Sequence, residues 1–206
     1  MTTIIAEPEV EIETAAPPIV LRLEPVVRLS EDQFFEFCQI NQDVRLERTS
    51  QREIIVMSPL GGMSGKREVK VMTQLENWSA KNGSGETFSC NTGFRLPNGA
   101  MRAPDASWVS KVRLAKFTAK ELNSFIPLCP DFVVELRSPS DRMSMLKLKM
   151  AEYIANGAKM GLLINPDKKQ VFVYQPDQPV VQVDNSDTVS CDAVLPGFEL
   201  DLRSIW

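Results

Sequence analysis

Residues 130–141 read Pro130-Asp131-Phe132-Val133-Val134-Glu135-Leu136-Arg137-Ser138-Pro139-Ser140-Asp141, and Lys149 and Tyr153 lie on the segment beyond. Phe132-Val133-Val134 is a short apolar, β-branched run of the kind that fills a buried strand. Glu135 closes that run. A buried carboxylate without a partner is costly, so a positive group must face it: an Arg, a Lys or a metal. Upstream, Pro104-Asp105-Ala106-Ser107-Trp108-Val109 repeats the arrangement, with an acid at the mouth of an apolar strand. Two carboxylates at neighbouring strand ends, with a Lys or Arg nearby, are the donor set of a metal-dependent phosphodiesterase.

Toward the C-terminus, Ser140 or Asp141 reads as the cap of a helix that reaches about Asn156, with Gly157 as its C′ residue. Leu146, Met150, Tyr153 and Ile154 form its apolar stripe. Residues 160–164 read as the next strand, so 131–164 is a strand–helix–strand unit with parallel strands. Residues 170–174 and 180–183 read as further strands, and the chain closes with Leu195-Pro196-Gly197-Phe198 and the apolar Ile205-Trp206.

Toward the N-terminus, residues 105–109, 93–96 and 86–90 read as strands, and residues 64–81 as a helix with Val69, Met72, Leu75 and Trp78 on one face. Residues 44–48 and 53–57 read as two strands joined by a polar turn. Ser30-Glu31-Asp32-Gln33 fits a capping box ahead of a short helix. Residues 111–128 suggest a helical turn or two within a loop. Residues 1–25, acidic and proline-containing, read as a flexible tail, which leaves 26–206 as a single domain. The order predicts an α/β or α+β fold, a mixed central β-sheet flanked by helices.

At 206 residues, 43% hydrophobic and 24% charged, the chain is long enough for one domain with a sizeable core. It contains no histidine. That removes a Ser-His-Asp triad, a Cys-His pair, a His-ligated zinc and a His general base. Hydrolytic chemistry must then rest on carboxylates, Lys, Tyr or a metal. Cys38, Cys90, Cys129 and Cys191 are too scattered for a zinc knuckle or a disulfide framework and read as reduced thiols. No apolar run reaches membrane-spanning length and no secretory leader is visible, so a cytoplasmic location is expected. The net charge is −4, yet basic residues concentrate between 41 and 166 while both ends are acidic. A positive surface around an acidic site suits a phosphate backbone.

The runs Arg102-Ala103-Pro104-Asp105-Ala106-Ser107-Trp108-Val109 and Cys129 through Asp141 resemble the Uma-two (Uma2) family, common in cyanobacteria and long catalogued as a domain of unknown function. So do Lys149-Met150-Ala151-Glu152-Tyr153-Ile154-Ala155-Asn156-Gly157 and Leu195-Pro196-Gly197-Phe198, and the resemblance covers about residues 28–206. The family belongs to the PD-(D/E)XK nuclease superfamily, with a restriction-endonuclease-like fold. The resemblance implies an endonuclease that hydrolyses DNA with magnesium or manganese and no organic cofactor. It implies Asp105 and Glu135 as catalytic metal ligands, together with the backbone carbonyl of Leu136. The superfamily expects Lys two residues after the second acid, and this chain has Arg137, which keeps its proton and cannot act as a base. Related families move the lysine to the following helix, and Lys149 resembles that relocated residue. It would orient the attacking water or stabilise the developing charge; Lys147, on the opposite helix edge, stays open. Arg137 and Glu68 are further candidates.

Other readings of the same residues stand beside this one. Glu135 can be a structural ion-pair partner of Arg137 or Arg102, and Glu68 a solvated helix residue. The whole chain can be a catalytically inactive nuclease-fold module that binds nucleic acid or a protein partner, as Arg137 and the acidic termini would suit. A homodimer is expected, with Ile205-Trp206 as an exposed apolar end that packs across a two-fold.

Overall fold

The computed structural model describes residues 18–206. Its first half contains β1 (Ile19–Leu21), α1 (Glu31–Ile40), β2 (Arg45–Arg48), β3 (Ile54–Met57), α2 (Gly62–Asn82), β4 (Gly85–Ser89), β5 (Phe94–Arg95) and β6 (Met101–Arg102). The second half contains β7 (Ala106–Ser110), α3 (Lys111–Leu114), α4 (Ala119–Leu122), β8 (Phe132–Leu136), α5 (Met143–Ala155), β9 (Met160–Asn165), β10 (Gln170–Tyr174), β11 (Val181–Asp184), β12 (Thr188–Ser190) and β13 (Glu199–Asp201).

The most apolar strands form a six-stranded sheet in the order β11-β10-β9-β8-β7-β4. β8 and β9 run parallel, from Phe132 opposite Met160 to Leu136 opposite Ile164, because α5 carries the chain across between them. The other neighbours in this sheet are antiparallel. A five-stranded antiparallel sheet, β1-β3-β2-β6-β5, and the hairpin β12-β13 complete the fold.

The pleat sorts β8 between two cores. Phe132, Val134 and Leu136 join Leu162 and Ile164, packed against Val71 and Leu75 of α2 and Leu200 of β13. Val133 faces the other way, with Leu163 and with Met150 and Tyr153 of α5. Helices therefore cover both faces of the central sheet, as the order of elements predicts. Gly161 lets α5 come close, since a Cβ there would stand 2.3 Å from Met150 Cε.

Ser30 and Gln33 form the expected capping box of α1. α5 differs at its start. Asp141 accepts from Ser138 N at 2.8 Å and Ser138 Oγ at 2.7 Å, so its carboxylate closes the turn that precedes the helix. The N-cap is Arg142, and the helix ends at Asn156 with Gly157 at φ 106°. On α2 the buried positions are Glu68, Val71, Leu75 and Ser79, while Val69 is 61% exposed. Ser79 sets that rotation: its Oγ donates to the Gly85 carbonyl at 3.1 Å and accepts from Trp108 Nε1 at 3.0 Å.

Residues 1–17 of the expected tail lie outside the described residues. Residues 18–25 include β1, which pairs with β3 from Ile19 opposite Val56 to Leu21 opposite Ile54, so the sheet begins ahead of residue 26. The C-terminus is also placed differently from expectation. Ile205 is fully buried in the core, and Trp206 Nε1 donates to the Ser186 carbonyl at 3.1 Å, so these residues pack within the chain. Among the described residues no helix is long and apolar enough to cross a membrane.

Candidate active site

The register of β7 on β8 places Ala106 opposite Val134. One residue further, the same register sets Asp105 against Glu135, at the ends of two neighbouring strands. The Leu136 N–H donates to Asp105 Oδ2 at 2.8 Å and fixes that carboxylate. Glu135 is buried on the α5 side of the sheet, on the same face as Val133. Lys149 and Tyr153, four residues apart on α5, both reach it. Tyr153 Oη donates to Glu135 Oε1 at 3.0 Å, and Lys149 Nζ lies 2.9 Å from the same oxygen.

Lys149 has a second partner. Its Nζ donates to Glu47 Oε1 at 2.8 Å. Glu47 sits on β2, in the other large sheet, and is 3% exposed. One step beyond the Arg48–Met101 pairing, the β2–β6 register sets Glu47 against Arg102. Arg102 Nη1 donates to Glu47 Oε2 at 3.0 Å, and Arg102 Nε donates to Glu152 Oε2 on α5 at 2.6 Å.

Burial sets the proton affinities of Asp105 and Glu135, while neighbouring charges outweigh it at Glu47 and Lys149. Burial pushes Asp105 up to about 6, against the opposing pull of Lys149 and the Leu136 N–H, and the Glu68 charge adds to the rise. Burial also raises Glu135 well above the usual carboxylate range; Lys149 opposes this, while Asp105 and Glu47 reinforce it. Burial works against ionised Glu47 too, but Lys149 and Arg102 outweigh it and hold Glu47 below the usual range. Lys149 loses hydration by burial, yet Glu135 and Glu47 keep its ammonium protonated far above ordinary conditions.

The structure brings Asp105, Glu135, Leu136 and Lys149 together, with Glu68 close by. Glu68 is 8% exposed on the inward face of α2, so it is not the solvated residue of the alternative reading. Burial, and then the hydrogen bond and charge of Glu68, push the Cys90 thiol up to about 12, which excludes a thiolate nucleophile there. Arg137 is not part of the cluster. Its N–H follows β9 by donating to the Ile164 carbonyl, and its Nη1 donates to Asp167 Oδ2 at 3.0 Å. In the alternative reading Glu135 pairs with Arg137 or Arg102; instead Arg137 meets Asp167, Arg102 meets Glu47 and Glu152, and Lys149 and Tyr153 reach Glu135. Lys147 lies over the Phe172 ring at 4.8 Å, while Lys149 is the lysine that stands 2.9 Å from Glu135.

Sequence reasoning missed Glu47 and the role of Arg102. The sequence hid Glu47 well: Arg45 and Arg48 stand beside it in the same strand and supply an apparent local partner.

Among the described residues, no three or more of His, Cys, Asp and Glu converge into a ready-made metal cage. The hydrogen bonds above engage Oδ2 of Asp105 and Oε1 of Glu135, and leave Oδ1 and Oε2 outside them. Two adjacent acids that burial and neighbouring carboxylates (Glu68 for Asp105, Asp105 and Glu47 for Glu135) make reluctant to ionise are a donor set that a hard divalent cation relieves. Two carboxylates are enough for a small divalent cation of this kind, which keeps several of its waters.

The model of the Uma2 family, described as "Putative restriction endonuclease", matches residues 31–203. A solved structure from Anabaena variabilis, described as a putative nuclease belonging to DUF820, superposes with a TM-score of 0.70. The two are 19% identical, and the match covers 86% of this chain and 97% of that one. A search of curated protein sequences finds no match.

Proposed function

Because the chain belongs to the Uma2 family of putative restriction endonucleases, we propose that it is a magnesium- or manganese-dependent endonuclease that hydrolyses phosphodiester bonds of DNA. One observation carries the reading: Asp105 and Glu135 stand side by side at strand ends, with the Lys149 ammonium 2.9 Å from Glu135. Asp105 and Glu135 would hold the cation, with the Leu136 carbonyl as a further oxygen ligand. A cation held there would polarise a phosphoryl oxygen and acidify a water.

The chain's own groups divide the remaining work. The Leu136 N–H keeps Asp105 oriented, and Tyr153 Oη keeps Glu135 oriented. Lys149 stays an ammonium, so it donates and does not act as a base. It donates to Glu47 and lies 2.9 Å from Glu135 as an ion pair, and a remaining N–H is the one offered to an oxygen that gains charge during attack.

Incubation of supercoiled plasmid with magnesium or manganese tests the reading. Wild-type protein should yield nicked and linear product, and Asp105→Ala and Glu135→Ala should each lose at least about 10²-fold in rate. Full cleavage by both variants would remove these acids from the site. Nucleic-acid binding without cleavage under either metal would support the inactive-module reading instead.

A further inference from the structure

We infer that Glu47, on a different sheet from the two acids proposed to hold the metal, is the positioning residue that keeps the Lys149 ammonium over Glu135. The inference rests on the nuclease reading for its consequence in the rate, and on geometry alone for the contact. Both Glu47 oxygens are occupied. Oε1 accepts from Lys149 Nζ at 2.8 Å and Ala103 N at 3.0 Å, and Oε2 accepts from Arg102 Nη1 at 3.0 Å. Glu47 is thereby committed to holding cations of the protein and is not a spare metal ligand.

Arg102 is fixed in turn. Glu152 takes its Nε through Oε2 at 2.6 Å and takes Asn98 Nδ2 through Oε1 at 2.9 Å. Lys149 and Glu152 both lie on α5, while Glu47 and Arg102 lie on β2 and β6. The bracket thus ties α5 to the five-stranded sheet at two points and sets the reach of the lysine. It also answers an electrostatic problem. Were Glu135 to hold a cation, its grip on the Lys149 ammonium would weaken. Glu47, which accepts from that ammonium at 2.8 Å, would keep it in place.

The test combines an ammonium signal with kinetics. Nitrogen-15 NMR of the full chain should show a slowly exchanging Lys149 ammonium resonance, identified by its loss in Lys149→Met. Glu47→Gln should shift or broaden that resonance with or without magnesium. In plasmid cleavage, Glu47→Gln should lower kcat by about 10- to 100-fold with KM little changed. Glu47→Asp guards against misfolding: it keeps the charge, shortens the reach, and should retain Tm while still lowering kcat.

An unchanged ammonium resonance in Glu47→Gln overturns the inference, as does a Glu47→Asp protein that recovers stability and rate together. If the wild-type protein cleaves no nucleic acid, the nuclease reading fails on that result alone. The ammonium resonance then still decides whether Glu47 holds Lys149.

Discussion

At the scale of single residues, Lys149 and Arg137 separate cleanly. Lys149→Met takes away the cation between two buried carboxylates, which costs about 3–5 kcal/mol of stability when a buried pair loses one partner. It should also abolish cleavage, and Lys149→Arg should recover little, because a planar fork replaces a compact point charge. Arg137→Met breaks a partly exposed pair with Asp167, so it should change stability by about 1 kcal/mol or less and leave cleavage near the wild-type rate. A dead Arg137→Met beside a fully active Lys149→Met would return the lysine's role to Arg137. Asp105 adds a pH signature. Its ordinary value is 3.8 and its folded value is about 6, so the native protein binds that proton more tightly than the unfolded chain. Metal-free stability should therefore fall as pH rises from about 4 to about 6, by up to about 3 kcal/mol. Asp105→Asn removes this share of the dependence and leaves the one that Glu135, also raised by burial, contributes. In chelator-treated samples its melting temperature should draw above that of the wild type as pH rises from 4 to 7. Added magnesium should raise Tm of the wild type and not of the variant.

At the scale of elements, the contact of α2 with β4 and β7 holds one flank of the sheet. Gly85 lies under the Trp108 ring, and a Cβ there would come within 2.1 Å of Trp108 Cζ2 and 2.5 Å of the Val109 carbonyl oxygen. The ring cannot withdraw without giving up its hydrogen bond to Ser79. Gly85→Ala should destabilise the protein by about 1–3 kcal/mol through this overpacking, as measured by denaturant unfolding. A neutral result would mean that Trp108 has room to move. The same contact explains the rotation of α2. Hydrophobicity alone favours Val69 as an inward residue, but the buried Ser79 and the line from Leu75 through Val71 put Glu68 inside and Val69 outside.

At the scale of the molecule, β1 ties the start of the described chain to β3. Deleting residues 1–25 removes that edge strand and the Arg22–Glu53 pair. The loss should be about 1–2 kcal/mol, or a fall in Tm of about 2–8 °C. An unchanged Tm would restore the expectation of a dispensable tail through residue 25. Duplex nucleic acid should bind with an affinity that falls steeply between low and physiological salt, because phosphate contacts release counterions. A flat salt dependence would favour a protein partner.

Strand periodicity, the acids at two strand ends and the Gly157 helix stop are local properties, and they were legible before any coordinates. So were the mixed sheet, the parallel β8–α5–β9 unit, and the pairing of Asp105 with Glu135, because neighbouring strands with matched acids need little else. The choice of partner for Glu135 was not local. Arg137 is nearest in sequence, but the end of β8 carries it along β9 to Asp167, while α5 returns Lys149 and Tyr153 to the acid. Glu47 was out of reach for a stronger reason. It stands 102 residues from Lys149, and only the packing of one sheet's strand against another sheet's helix sets them 2.8 Å apart. Long-range ion pairs depend on where two elements meet, and no window of sequence records that meeting.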